Sequence, residues 1–105
     1  MLFRSLVVSI GSDMSIKLNQ DSLGSVNDTV PLATRLRQVF DQRIQQRAYK
    51  VGMEAQPNMK DEDRIEKTVF VKAPRATKYG DVVKVIDAIK GAGASPVGLQ
   101  VDDLP

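Results

Sequence analysis

The chain changes its apolar rhythm several times. Leu6 to Ile10, LVVSI, is β-branched-rich, GSDMS after it supplies turn chemistry, and SIKLN alternates with Ile16 and Leu18 on one face. That pattern predicts a hairpin. Asn19 to Asn27 is rich in Asp, Ser, Gly and Asn, whose side chains offer the backbone local hydrogen bonds in place of a ladder, so it reads as loop. The period then lengthens. Leu32, Leu36, Val39, Phe40 and Ile44 recur at helical spacing, Asp28 or Thr29 can cap, and Pro31 suits a first turn where its missing N–H has no partner.

From Gln45 to Lys67 periodicity gives way to charged and amide residues, with Gly52 and Pro57 as breakers and KDEDRIEK as a mixed-sign run. This predicts a solvated polar insertion with frayed helical ends. Its alternative, a functional acidic patch at Asp61, Glu62 and Asp63, is opposed by Lys60, Arg64 and Lys67 close by, and the carboxylate spacing lacks the glycine turn of a calcium loop. TVFVKA, Thr68 to Ala73, reads as a buried strand, Val69 and Val71 on one face and Phe70 on the other, ended by Pro74. A second helix is predicted from Tyr79 to Lys90, capped by Thr77. Its buried stripe is Tyr79, Val82, Val85, Ile86 and Ile89, and Asp81, Lys84 and Lys90 face water. Gly91 or Gly93 can finish it in a left-handed conformation, and PVGLQV forms a last strand.

The fold expected is α+β, a small mixed sheet with two helices on one face in the order β-β-α-β-α-β. Its last β-α-β is a crossover unit with parallel strands. One covered face leaves the other face and an edge strand open, and a dimer is the expected remedy.

Composition narrows the chemistry. Fifteen basic against thirteen acidic residues leave a net charge of +2, and there is no tryptophan, which argues against a nucleic-acid partner. Without histidine or cysteine the chain lacks the usual zinc, haem and iron–sulfur ligands, the commonest general base and the thiol nucleophile. No enzyme activity, metal or cofactor is expected. LVVSI is too short to span a membrane, and MLFRS lacks the apolar core of a signal peptide. Leu2-Phe3-Arg4-Ser5 resembles one translation of a sequencing adapter, so residues 1–5 are read as a truncation or cloning scar and residues 6–105 as the domain, with the polar insertion at about 45–67.

The stretch from Val69 to Val101 resembles the C-terminal part of the ExbD/TolR family of biopolymer-transport proteins. The resemblance rests on Lys78-Tyr79-Gly80 at a helix start, Ile86-Asp87 within it, Ala92-Gly93 at its end and Val97-Gly98-Leu99 in the following strand. VVSIGSDMSIKLN is similar, more loosely, to the family's first hairpin, and Leu32 to Arg43 matches its first helix by position and pattern. Two departures stand out. Ala73-Pro74-Arg75 occupies the place where many relatives carry an aspartate, so that carboxylate's role cannot be carried over. The relatives' cytoplasmic tail and membrane helix, with its aspartate, have no counterpart in the sequence.

The resemblance implies the periplasmic domain of an ExbD-like subunit in a proton-motive-force-driven complex. That subunit is single-pass on the periplasmic side of the bacterial inner membrane, joined to ExbB- or MotA-like subunits through its N-terminal helix, and relays force to a TonB-like protein. The alternatives are a TolR-like domain anchored on peptidoglycan and a small-molecule-binding regulatory α/β domain. Candidate partner or dimer contacts are Tyr79, Gly80, Asp87, Val97, Gly98, Leu99 and Val101. Each has an ordinary reading as well. The Tyr79 ring can pack beside the first turn, Asp87 can belong to an exposed ion-pair face with Lys84 and Lys90, Gly80 simply permits close approach, and Gly98 can mark a weak point or bulge in its strand.

Overall fold

A computed structural model describes residues 5–50, 52, 53, 56 and 58–102; the expectation for residues 1–5 falls, Ser5 apart, outside these. The elements are β1 (Leu6–Ile10), β2 (Ser15–Leu18), β3 (Asp21–Ser25), α1 (Val30–Gln45), α2 (Asp61–Arg64), β4 (Val69–Pro74), α3 (Tyr79–Gly91) and β5 (Val97–Asp102). They build one five-stranded mixed sheet in the order β3-β2-β1-β4-β5. β1 pairs antiparallel with β2 and parallel with β4, and β4 pairs parallel with β5. The α+β class, the hairpin, the parallel β4-α3-β5 crossover and both main helices agree with the sequence.

Alternation sets the core. Leu6, Val8 and Ile10 of β1, Ile16 and Leu18 of β2, and Val69, Val71 and Ala73 of β4 all point to one face, where they meet Leu32, Leu36 and Phe40 of α1 and Val82, Val85 and Ile89 of α3. Each of these Leu, Ile, Val and Phe side chains contributes about 1.5–3 kcal/mol on leaving water.

Four expectations need correction. Asn19 to Asn27 is not simply loop, because Asp21–Ser25 forms β3 against β2. Asn19 adopts φ 55 in a two-residue turn, which asparagine tolerates, and the polar residues after it suit an outermost strand. Tyr79 leaves the stripe of α3 and is 79% exposed, since it stands in the first turn where the helix has just left the sheet. Neither long helix has a side-chain cap: Thr29 and Lys78 hold the cap positions without such a bond, so Thr77 does not cap α3. The polar insertion is more than a solvated loop. Ile65 is fully buried, Ala48 is buried, and α2 forms within it.

That insertion is tied down at several points. Arg43 sits on the buried stripe of α1 and donates from Nη1 to the Glu66 carbonyl oxygen. Arg64 donates from Nε to the Met53 carbonyl at 2.9 Å and lays its guanidinium 3.9 Å from the Tyr49 ring centroid. Tyr49 and Ile65 form an isolated bridge.

The two long helices end in the same way. The Ala48 N–H donates to the Arg43 carbonyl and the Arg47 N–H to that of Ile44, and in α3 the Ala94 N–H donates to Ile89 and the Gly93 N–H to Lys90. Both are Schellman closures with a positive φ at the turning residue, Arg47 at 51° and Gly93 at 108°. Only the glycine was legible beforehand, and Gly93 rather than Gly91 takes the role.

Candidate partner-binding edge

β5 is outermost on its side of the sheet. Its approach is fixed by the Schellman closure of α3 and by a bridge between Lys67 and Ser95, where the Ser95 N–H donates to the Lys67 carbonyl at 2.9 Å. The register follows as Val69 with Val97, Phe70 with Gly98, Val71 with Leu99, Lys72 with Gln100 and Ala73 with Val101.

That register also decides which way the main chain faces. Val69 donates to the Pro96 carbonyl at 3.2 Å. In a parallel ladder a residue bonds to the two neighbours of its partner, so Gly98, Gln100 and Asp102 turn their main-chain groups toward β4. Val97, Leu99 and Val101 therefore present N–H and C=O outward along a rim that no other strand among the described residues pairs with.

Parallel partners share a face, so Val97, Leu99 and Val101 stand on the helix side with Val69, Val71 and Ala73. α3 reaches over β4 and the start of β5: Val97 packs against the core, whereas Leu99 is 50% and Val101 54% exposed. Covering these two side chains would contribute roughly 2–3 kcal/mol. On the other face Phe70 is 45% exposed, and its ring occupies the space a side chain at Gly98 would need. Gly98 is therefore the point at which a neighbouring ring crosses the strand.

The remaining candidates fall in two places. Tyr79 and Gly80 open α3, which starts just after β4 ends, the Thr77 N–H donating to the Pro74 carbonyl at 3.0 Å. They sit at the same end of the sheet as Val101, the partner of Ala73. A side chain at Gly80 would meet open space, so no close approach among the described residues explains that glycine. Asp87 lies elsewhere, lining a shallow cleft with Val26, Asn27, Thr29, Lys84 and Ala88 near the start of α1. It is exposed and pairs with neither Lys84 nor Lys90.

Charge is organised around the insertion and the entrance to β4. The Thr68 hydroxyl donates to Glu66 Oε1, as does the Thr68 N–H at 3.2 Å, and with Lys50 and Arg43 they hold the Glu66 carboxyl below its ordinary range. Burial pulls the Arg43 guanidinium down while Glu66 opposes the shift, and the group stays charged. Asp61 pairs with Arg64 at 3.5 Å and Asp63 with Lys67 at 3.6 Å. Among the described residues no cluster of three or more acidic side chains could hold a metal ion. A cleft of about 340 Å³ lies between the β1–β2 turn and the start of α3, lined by Ile10, Met14, Val26, Pro74, Lys78 and Asp81 among others.

Arg43, Ile65 and Lys72 carry parts of this arrangement and were missed in the sequence. Arg43 falls on the Leu36–Phe40 stripe by helical phase, and Lys72 shares the parity of Phe70, so both had a signal. Ile65 had only its isolation within a charged run.

The comparisons with known proteins agree with this architecture. The family model for the biopolymer transport protein ExbD/TolR matches residues 4–104. The chain belongs to the ExbD/TolR family. No curated protein sequence matches it in addition. ExbD/TolR proteins are non-enzymatic subunits of Ton/Tol energy-transducing complexes, with ExbB/TolQ and TonB/TolA proteins as their general partners, and the domain they share is periplasmic. No helix among the described residues is long and apolar enough to cross a membrane.

Proposed function

We propose that this ExbD/TolR domain is ExbD-like and relays force to a TonB-like protein by accepting an extended segment along the β5 rim. The observation that carries the proposal is the outward main chain of Val97, Leu99 and Val101 beside exposed apolar side chains, a ready template for strand addition. Tyr79 and Gly80 border the same end, and Asp87 belongs to a separate contact. A second copy can use the same rim, which makes a homodimer the resting partner in this scheme. The subunit sits on the periplasmic side of the inner membrane and joins ExbB- or MotA-like subunits through a single membrane helix encoded upstream. Reading the genomic frame upstream of Leu6 tests that last point: an apolar span containing an aspartate is expected, and a signal peptide in its place counts against transport.

The docking step is tested by titrating an extended TonB-like peptide, and separately purified cell wall, with the wild-type chain and with Leu99→Pro. The ExbD-like reading expects peptide binding that the variant loses while remaining folded. Binding to cell wall alone would instead make the domain a TolR-like anchor, and unchanged peptide binding by folded Leu99→Pro would remove β5 from the mechanism.

A further inference from the structure

Strands β1 and β4 lie side by side and parallel, and both end at one rim of the sheet, at Ile10 and Pro74. From there the chain leaves in opposite directions: β1 turns back into β2 on one side, and β4 continues through α3 to β5 on the other. Diverging connections at the carboxyl ends of neighbouring parallel strands leave a crevice between them, which is where open α/β sheets take their ligands. The cleft of about 340 Å³ lies at this point. Its size falls at the lower end of the range for small-molecule sites, about 300–1,000 Å³, and suits a ligand of amino-acid size. The floor is apolar: Ile10 and Val26 are buried, and Met14 and Pro74 half-buried. Met14 serves there at a backbone cost, since its φ of 68° is a left-handed conformation ordinarily left to glycine or asparagine. Its N–H donates to the Gly11 carbonyl and its own carbonyl accepts from the Val26 N–H, both at 2.9 Å, which holds it in that conformation.

Two opposite charges border this floor, Lys78 at the cap position of α3 and the half-buried Asp81 in its first turn. Neither forms an ion pair or a side-chain hydrogen bond among the described residues, with the other or with any neighbour. Asp13, the acid of the adjacent β1–β2 turn, is engaged by the N–H and hydroxyl of Ser15. A ligand carrying only negative charge, a phosphate included, would face the Asp81 carboxylate as well as Lys78. One that carries both charges on a single carbon can satisfy the two side chains together, with a charge-assisted bond of about 2.8 Å at each end. We infer that this cleft is a binding site for a free aliphatic α-amino acid, with its carboxylate on Lys78, its ammonium on Asp81 and its side chain against Ile10, Met14, Val26 and Pro74. The site lies on the β1 side of β4, away from the β5 rim, and does not rest on strand addition.

An NMR titration of the whole chain with L-leucine tests this. Saturable amide shifts are expected at Gly11, Met14, Thr77 and Asp81, with a dissociation constant on the order of 1 mM or tighter. Isocaproate lacks the ammonium, leucinamide lacks the carboxylate and glycine lacks the side chain, so each should bind at least about fivefold more weakly. Asp81→Asn should remove the preference for leucine over isocaproate, and Lys78→Gln the preference for leucine over leucinamide. Met14→Gly, which takes the left-handed backbone without cost, should keep the fold and narrow the gap between leucine and glycine. Absence of saturable shifts would overturn the inference, as would equal affinities for leucine and its analogues. Shifts confined to β5, or shifts that a folded Leu99→Pro variant loses, would put the ligand on the rim and overturn it too, whereas failure of a peptide to bind that rim would leave the cleft untouched.

Discussion

Strands β3 and β5 are both outermost in the sheet, but they close it differently. β3 is five residues, DSLGS, and its pairing with β2 shifts by one residue between Ser15 and Lys17. It then folds back at once through the Ser25–Asp28 bridge, with Gly24 at φ +80° and α1 packed beside it. β5 runs six residues in unbroken register with apolar side chains on its helix side. A bulged, polar, short edge resists pairing with other chains, whereas a regular apolar one invites it. Among the described residues the sheet therefore has one irregular, folded-back edge and one regular, unpaired edge, and the contact proposed above lies at the second.

The largest effect should come from unsealing β3. Gly24 combines a left-handed φ with a position where a methyl group would collide with the Asp28 carbonyl oxygen. Gly24→Ala should cost about 2–3 kcal/mol and lower Tm by more than about 10 °C, measured by thermal melting. If the melt is unchanged, the β3 turn does not depend on that close approach.

A pair of prolines then tests the direction of the β5 main chain. The Gln100 N–H faces β4, so Gln100→Pro should remove a ladder bond and cost about 2 kcal/mol. The Leu99 N–H faces outward, so Leu99→Pro should cost about 1 kcal/mol or less while abolishing any pairing at the rim. Urea titrations of the two variants should separate clearly, and the reverse order would mean that the open side of β5 has been misassigned.

The contrast between the two edges also marks how far the sequence could be read. β5 was legible because Val97, Leu99 and Val101 alternate between a glycine-ended helix and the chain's acidic end, and β4 because Val69 and Val71 alternate with Phe70. β3 was not, since an edge strand gains little from apolar residues and its Asp, Ser and Gly content is that of a turn. Tyr79 satisfied helical periodicity, yet periodicity does not say where a helix first meets the sheet. The closure of α1 was hidden because Arg47, not glycine, turns it. The insertion was hidden because its anchors are buried polar bonds from Arg43 and a single Ile65, and neither leaves a repeating pattern. At the candidate site, the strand was legible, but the crossing of Phe70 over Gly98 required the register.

A smaller effect should distinguish what holds each edge in place. β5 is registered through Lys67 and Ser95, next to the Glu66–Thr68 turn, whereas beside β3 a separate carboxylate, Asp13, accepts from the N–H and hydroxyl of Ser15, the partner of Ser25. The folded Glu66 carboxyl lies below its ordinary range, led by the Thr68 hydroxyl bond. Its contribution is then present above the unfolded value of about 4.3 and is lost as pH falls through the lower folded value. Glu66→Gln should destabilise by about 1 kcal/mol at pH 7 and flatten the loss of stability between about pH 5 and pH 3. Amide exchange should quicken in β4 and β5 and stay unchanged in β2 and β3; equal quickening on both sides would show that the two edges are not held separately.

The smallest expected effect lies at Gly98. A methyl group there would stand 2.9 Å from Cδ1 and 3.2 Å from Cε1 of Phe70, too close to coexist with the present ring position. The obstacle is the end of a half-exposed side chain and not backbone, so the ring can swing toward solvent. Unlike Gly24, Gly98 has no positive φ, so alanine brings no backbone strain. Gly98→Ala should therefore change stability by less than about 1 kcal/mol, within the ordinary range for a surface strand position. Phe70 should report the change: its ring proton resonances should shift toward solvent-exposed values while the β4 amides keep their protection. A stability loss matching that of Gly24→Ala would mean that Phe70 is locked in place, and the two edge glycines would then serve the same purpose.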